Sequence, residues 1–134
     1  MKIFGISLAV LATLSFPCAL HAQELGSETD EQLREVIEHQ IETYTDLLDL
    51  EYWQVFYVDS IMTHDYTAMT AELQELSDSK VTNTEAYERV QDKWAEQMYN
   101  AYREVFNDQQ WQKYLKAGAA RDKKARDKRE ARRQ

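Results

Sequence analysis

The stretch LLDLEYWQ at residues 47–54 has a counterpart further along the chain, VFNDQQWQ at residues 105–112. In each, two apolar residues precede a short polar residue, which is Asp49 in the first stretch and Asn107 in the second. Asp and Asn are preferred as helix N-caps because their side-chain oxygen accepts an otherwise unpaired N–H of the first turn. Each stretch therefore predicts that one helix ends and another begins at this polar residue.

The tryptophans of the two stretches support the same interpretation. Trp53 and Trp111 each follow the predicted cap by four residues, and an apolar residue directly precedes each cap. This is the spacing of a hydrophobic staple, in which the two apolar side chains pack together and fix the entry into the helix. The sequence thus predicts two similar helix corners, 58 residues apart, formed by Leu48, Asp49, Trp53, Phe106, Asn107, Gln110 and Trp111.

The rest of the chain beyond residue 22 favours helix throughout. It contains no proline and only two glycines, and its apolar residues recur every three or four positions, which is typical of one-sided helices. We predict helices over residues 30–48 and 50–77, a third that ends at the second corner, and a fourth that begins near Asp108. The expected fold is all-α: an elongated bundle of three to four helices built from two helical hairpins, with a basic C-terminal tail that is helical or disordered.

The first 22 residues have the layout of a cleavable secretory signal. Lys2 precedes an uncharged apolar run at residues 3–16, and Ala22 offers a small residue for cleavage. Cleavage there removes Cys18 and Pro17, the only cysteine and the only proline. The sequence thus predicts a signal peptide at 1–22, an acidic helical domain at 23–115 and a basic tail at 116–134. The expected product is exported across the inner membrane to the periplasm and has no transmembrane segment.

Charge divides these two mature regions. Residues 23–115 contain 21 acidic and six basic residues, whereas residues 116–134 contain nine basic and three acidic ones. The tail has no large apolar residue after Leu115, so we expect a solvated helix or a disordered end. An anionic envelope surface, an acidic partner or the acidic body of a second copy would suit it, while nucleic acid is an unexpected target for an exported protein. The tail residues in question are Arg121, Lys123, Lys124, Arg126, Lys128, Arg129, Arg132 and Arg133.

The two corner stretches also resemble the repeated motif of the periplasmic LTxxQ family (Spy/CpxP-like stress chaperones and metal-responsive proteins), in which Leu-Thr-x-x-Gln occurs twice at helix starts. The first stretch has the leucine, Leu48, with Asp49 in place of threonine, and lacks the glutamine in this alignment. The second has Phe106 in place of leucine, then Asn107, and keeps the glutamine as Gln110. The resemblance implies a cradle-shaped helical homodimer that binds unfolded clients, although the best-known members present a basic concave surface and this body is acidic.

Residue patterns for catalysis are not found. The sequence contains no Gly-rich phosphate loop, no G-x-S-x-G and no H-E-x-x-H, so we expect neither enzyme activity nor a cofactor. Glu35, His39 and Glu42 share one helix face and indicate a weak metal site. The alternative is an exposed acidic face that happens to include a histidine.

Aromatic residues are more numerous than thin helices can bury on one side. We predict client or partner contacts at Trp53, Phe56, Tyr57, Tyr99 and Tyr102, because exposed aromatic rings favour protein interfaces. The alternative is that these rings line the bundle or a homodimer interface. The expected function is that of an exported stress-type chaperone or adaptor, which binds unfolded or partner protein noncovalently. The alternatives are an envelope structural protein that docks through its basic tail, and a metal-responsive sensor.

Overall fold

Five α-helices form the described part of the chain. The computed structural model describes the backbone from Leu20 to Gln134 and the side chains from Thr29 onward, so the predicted signal peptide lies almost wholly outside the described residues. The all-α fold is confirmed, and no strand occurs among the residues described. The elements are α1 (Leu20–Leu48), α2 (Tyr52–Asp78), α3 (Thr84–Val105), α4 (Asp108–Tyr114), a π-helical turn (Leu115–Ala119) and α5 (Ala120–Arg133).

The first helix corner differs from the prediction by two residues. Asp49 has a φ of +53°, and the N–H of Leu50 donates to the carbonyl of Thr45 at 3.3 Å. This bond spans five residues around a left-handed residue, which is how a helix ends in a Schellman motif. Asp49 therefore terminates α1, because Asp tolerates the left-handed conformation, and Glu51 is the N-cap of α2. The prediction that Asp49 caps the second helix, with Leu48 and Trp53 as its staple, is wrong.

The second corner agrees with the prediction. Asn107 is the N-cap of α4, and its Oδ1 accepts the N–H of Gln110 at 2.8 Å. The Gln110 side chain reaches back and accepts the N–H of Asn107 at 2.9 Å, which completes a capping box. Phe106 before the cap and Trp111 four residues after it are both buried in the core, 3% and 8% exposed.

The core lies between α1, α2, α3 and α4. α2 packs along α3 and against α1, and α4 packs against α1. Burial of a large apolar side chain is worth about 1.5–3 kcal/mol, so these contacts, rather than any covalent link, stabilise the fold. The buried apolar residues are Ile37, Leu48, Leu50, Val58, Met62, Met98, Tyr102, Phe106, Trp111 and Tyr114.

A kink separates α4 from α5. It lies in the π-helical turn, where Gly118 has φ +137° and ψ −17°, a backbone conformation that is open to glycine and costly for other residues. After this kink α5 packs against α3. None of the helices in the described part of the chain is both long enough and apolar enough to cross a membrane.

Candidate functional site

The two helix corners are joined by one side chain from each, Gln54 and Gln110. Nε2 of Gln54 donates to Oε1 of Gln110 at 2.7 Å, and Nε2 of Gln110 donates to Oε1 of Gln54 at 2.9 Å. Each Oε1 also accepts the backbone N–H of its own N-cap, Glu51 or Asn107, at 2.9 Å. Both glutamines are buried. This Gln54–Gln110 pair therefore fixes the two corners against each other.

Backbone contacts repeat the same symmetry. Nε2 of Gln54 donates to the carbonyl of Val105 at 2.9 Å, and Nε2 of Gln110 donates to the carbonyl of Asp49 at 3.4 Å. Each of these carbonyls belongs to the residue two positions before the N-cap of the opposite corner. The two corners are thus related by an internal two-fold arrangement with an offset of 56 residues. The predicted offset of 58 came from aligning the tryptophans, whereas the structure aligns the glutamines.

This alignment pairs the exposed positions of α2 with those of α4. The first, second, fifth and sixth residues of both helices are exposed. In α2 these positions hold Tyr52, Trp53, Phe56 and Tyr57; in α4 they hold Asp108, Gln109, Gln112 and Lys113. Because α4 makes the same N-cap and glutamine contacts with polar residues there, these contacts do not require aromatic residues at these positions of α2.

The four exposed aromatic residues of α2, Tyr52, Trp53, Phe56 and Tyr57, form one surface, which we call the aromatic surface. They are 92%, 50%, 64% and 52% exposed, respectively. The ring of Tyr57 lies edge-on to Trp53, with centroids 6.1 Å apart, and edge-on to Phe56 at 5.7 Å. The Trp53 indole N–H donates to the Glu51 carboxylate. Large exposed apolar groups in contact with one another are typical of interaction sites.

Three of the five predicted client-binding residues lie on this surface, and the prediction missed Tyr52. A further residue that it missed is Gln54, which positions the start of α2. Both could have been found by aligning the two stretches on their glutamines, since Leu50-Glu51-x-x-Gln54 then matches Phe106-Asn107-x-x-Gln110.

A groove between α2 and α3 borders the aromatic surface. It has a volume of about 310 Å³ and is lined by Tyr57, Ser60, Ile61, His64, Asp65, Gln97 and Ala101. The Asp65 carboxylate is 3% exposed. It accepts a hydrogen bond from Nε2 of Gln97 at 2.9 Å and lies 2.7 Å from Nδ1 of His64. The groove thus combines apolar walls with one partnered carboxylate.

Tyr102 is a core residue, so the prediction that it contacts clients is wrong. It is 3% exposed and its ring contacts those of Tyr44, Phe106 and Tyr114 at centroid distances of 5.8, 5.5 and 5.8 Å. Burial raises the pKa of Tyr102 far above its usual value and that of Tyr44 to about 12. These hydroxyls stay neutral at physiological pH, which suits a packed aromatic core.

Tyr99 also lies away from the aromatic surface. Its ring packs on Trp111 at a centroid distance of 4.9 Å. The cationic groups of Arg126 and Lys123, from α5, lie 5.5 and 5.9 Å from its centroid. α5 therefore covers Tyr99, which corrects its assignment as an exposed client contact. Tyr99 and Tyr102 instead line a cleft of about 400 Å³ between α1, α3 and the π-helical turn.

One face of α5 is bound to an acidic row on α3. The tail is helical, as predicted. The expectation that it is solvated all round or disordered is wrong, because the acidic row forms ion pairs with its Lys and Arg residues. Apolar periodicity in the sequence does not reveal such pairs. The hydrogen bond from Arg129 is the main reason that the pKa of Asp92 is lowered. The pairs are Lys123 and Arg126 with Glu96 (3.1 and 3.2 Å), Arg129 with Asp92 (2.6 Å), and Arg133 with Glu88 and Asp92 (3.0 and 3.1 Å).

The opposite face of α5 carries the remaining predicted tail residues. Lys124, Lys128 and Arg132 are exposed, recur every four residues, and form no ion pair with any described residue. Arg121 pairs with the adjacent Asp122 at 3.1 Å. α5 is therefore a two-sided helix, with one basic face paired to α3 and one basic face open to solvent.

The chain distributes its remaining charges unevenly. Residues 35–79 contain eleven acidic residues and no Lys or Arg. They span the second half of α1 and all of α2. Among the described residues, Arg34 pairs with Glu38 and Lys93 pairs with Glu72, and the other nine acids form no ion pair with a Lys or Arg. Asp49, Glu51 and Asp59, which flank the aromatic surface in sequence, are all exposed.

The proposed metal ligands do not form a site. Among the described residues, no group of three or more His, Cys, Asp or Glu side chains is arranged to hold a metal ion. Glu35, His39 and Glu42 are all exposed on α1, where a shared helix face alone does not bring three ligands to one point. The prediction of a metal site there is wrong.

Comparison of the chain with protein-family models, with curated proteins and with solved structures finds no match in any of the three. The geometry of the chain itself must therefore support any functional assignment.

Proposed function

We propose that this protein is an exported, noncovalent chaperone or adaptor that holds unfolded or partner polypeptide on the aromatic surface. The observation that carries the proposal is the exposure of Tyr52, Trp53, Phe56 and Tyr57 in the first six residues of α2. A contiguous group of large, half- to fully exposed aromatic rings is costly in solubility and is suited to burial against another chain.

The internal comparison with α4 supports a functional role for these rings. The equivalent helix start places an acid, two glutamines and a lysine at the same positions and still closes its corner. Structural demand therefore does not account for aromatic residues at the start of α2, whereas binding of an apolar partner does.

The alignment on the glutamines also strengthens the resemblance to the LTxxQ family. In that frame both corners read as an apolar residue, a cap, two variable residues and glutamine: Leu50-Glu51-Tyr52-Trp53-Gln54 and Phe106-Asn107-Asp108-Gln109-Gln110. We propose a distant relation to this family, and with it export to the periplasm and a role under folding stress.

The test is a light-scattering assay of the aggregation of a thermally unfolding model protein. The critical variant gives α2 the surface residues of α4: Tyr52→Asp, Trp53→Gln, Phe56→Gln and Tyr57→Lys. These substitutions leave the net charge unchanged and use residues that the same corner accepts elsewhere in the chain. We expect the wild-type protein to suppress aggregation at high salt as well as low salt, since apolar contacts are little screened, and the variant to lose this activity while it keeps its helical content.

A matched control is Val36→Ser, which removes an apolar residue that is 58% exposed on α1, outside the aromatic surface. It should retain full activity. Absence of suppression by the wild-type protein at every ratio, or undiminished suppression by the four-residue variant, would rule the proposal out.

A second candidate function is docking on an anionic envelope surface through the open face of α5. Lys124, Lys128 and Arg132 carry this candidate because they lack ion-pair partners among the described residues. Each cation near an anionic bilayer contributes about 1 kcal/mol. Co-sedimentation with anionic vesicles should therefore be salt-sensitive and be lost on replacing all three by Gln. Equal binding to zwitterionic vesicles would contradict this candidate.

A further inference from the structure

We propose that the aromatic surface selects polypeptide segments in which large apolar side chains are accompanied by Lys or Arg. This inference rests on the proposed function and adds the chemical class of its client. It begins from the charge around the surface rather than from the rings themselves.

The surroundings of the aromatic surface are anionic and unneutralised. Asp49, Glu51 and Asp59 flank it, and none of them forms an ion pair with a Lys or Arg in the described part of the chain. The nearest Lys or Arg residues in sequence are Arg34 and Lys80. A partner that covers the rings would bring its own charges close to these carboxylates, where cations are stabilised and anions are repelled.

An acidic row on α3 offers a comparison within the chain. On α3, the acidic row of Glu88, Asp92 and Glu96 is paired with α5. There the arginines of α5 neutralise the acidic face of a neighbouring helix. The acids around the start of α2 have no such internal partner, so they are available to a cation of a client.

The groove beside Tyr57 adds an apolar recess next to the aromatic surface. Ile61 and Ala101 give it apolar walls, and the carboxylate of Asp65 lies along it. An apolar client side chain can enter next to Tyr57 while a neighbouring cation of the client meets the exposed carboxylates that flank the aromatic surface, Asp49, Glu51 and Asp59. The surface thus suits a mixed apolar and basic segment better than a purely apolar or acidic one.

The test uses fluorescent peptides that share one apolar core and differ only in their flanks, which are Lys, Ser or Glu. Binding is measured by fluorescence anisotropy at low and high salt. We expect the Lys-flanked peptide to bind about tenfold more tightly than the Ser-flanked one at low salt, through faster association, and the Glu-flanked one to bind most weakly. High salt should bring the three affinities together.

A fourth peptide, with the sequence of α5 (Ala120–Arg133), has many cations and no large apolar residue. It should bind more weakly than the Lys-flanked peptide. If it bound as tightly, charge alone would explain recognition and the inference would be overturned.

Two protein variants locate the effect. Asp49→Asn/Glu51→Gln/Asp59→Asn removes three charges beside the aromatic surface, and Asp30→Asn/Glu31→Gln/Glu35→Gln removes three exposed charges from α1, about 20 Å or more along that helix from its corner. Only the first should abolish the preference for Lys flanks. Equal loss in both variants would assign the preference to net charge and overturn the inference.

The failures of the two proposals are distinguishable. If no peptide binds, the proposed function fails together with the inference. If all three flanked peptides bind equally and the four-residue aromatic variant binds none, the proposed function stands and the inference is wrong.

Discussion

At the start of α2 the chain exposes four aromatic side chains, whereas at the equivalent positions of α4 it exposes an acid, two glutamines and a lysine. The inward positions of the two helices are alike: Leu50 and Phe106 before the caps, and Val58 and Tyr114 in the second turn, are all buried. The buried positions, which the two helices share, are those that the corner needs for packing. The exposed positions, which differ, are not constrained by this packing. Comparison of the two helix starts within one chain thereby distinguishes the residues needed for packing from those that are not.

The charges of the two halves differ in the same way. The acidic row on α3 is paired with α5, while Asp49, Glu51 and Asp59 at the start of α2 form no ion pair with a Lys or Arg of the described residues. The acids of the α3 row are therefore neutralised within the chain, whereas those beside the aromatic surface are open to a partner. Three predictions test this comparison, in order of decreasing expected effect.

The two tryptophans should differ most. Trp111→Ala removes a ring that is 8% exposed in the core and should reduce the free energy of unfolding by about 3–5 kcal/mol. Trp53→Ala removes a ring that is 50% exposed and should cost less than about 1 kcal/mol. Urea denaturation followed by circular dichroism measures both. Similar losses in the two variants would mean that Trp53 is structural, and the comparison would fail.

Loss of the Gln54–Gln110 pair should have the next largest effect on stability, because both helix corners depend on this pair. Gln54→Ala or Gln110→Ala leaves a buried amide without its partner and should cost about 2 kcal/mol. The double variant should cost clearly less than the sum of the two, since the pair is coupled. Gln112→Ala, at an exposed position of α4, is the control and should change stability by less than about 0.5 kcal/mol. Additive losses would show that the two amides act independently.

The smallest expected effect is the weakening of the ion pairs between α5 and α3 at low pH. Because Arg129 lowers the pKa of Asp92 in the folded protein, ionised Asp92 stabilises the contact above the ordinary aspartate pKa of about 3.9. That contribution is lost as the pH falls through the lowered value. We expect a loss of about 1 kcal/mol or less.

Electron paramagnetic resonance of a spin label at Ala125→Cys would report this as increased mobility of α5 below about pH 4. Residues 23–134 contain no other cysteine that could take the label. In Asp92→Asn the label should already have the increased mobility at neutral pH, and its mobility should not change in acid. If the variant still showed the original transition in acid, groups other than Asp92 would cause it.

Sequence periodicity was sufficient for the helices and for the second corner, because Asn107 caps through local hydrogen bonds three residues apart. It failed at the first corner, where Leu50 and the left-handed Asp49 end α1 by a backbone motif that any short polar residue can adopt. It also failed for Tyr102 and α5. Tyr102 lies among rings from α1 and α4, and Arg126 and Arg129 of α5 meet acids 30 and 37 residues away. Such contacts depend on tertiary packing, which local spacing does not encode.

The mutual dependence of Gln54 and Gln110 has a consequence for how the fold could have arisen. Each amide is satisfied by a copy of itself and by a backbone carbonyl of the opposite corner, so one hairpin alone would leave its glutamine half-bonded. Two identical hairpins, each with one such glutamine, can exchange the same four bonds across a true two-fold axis. The present chain thus joins two such helix starts in one polypeptide, so that one of them can carry exposed aromatic residues while the other carries polar ones.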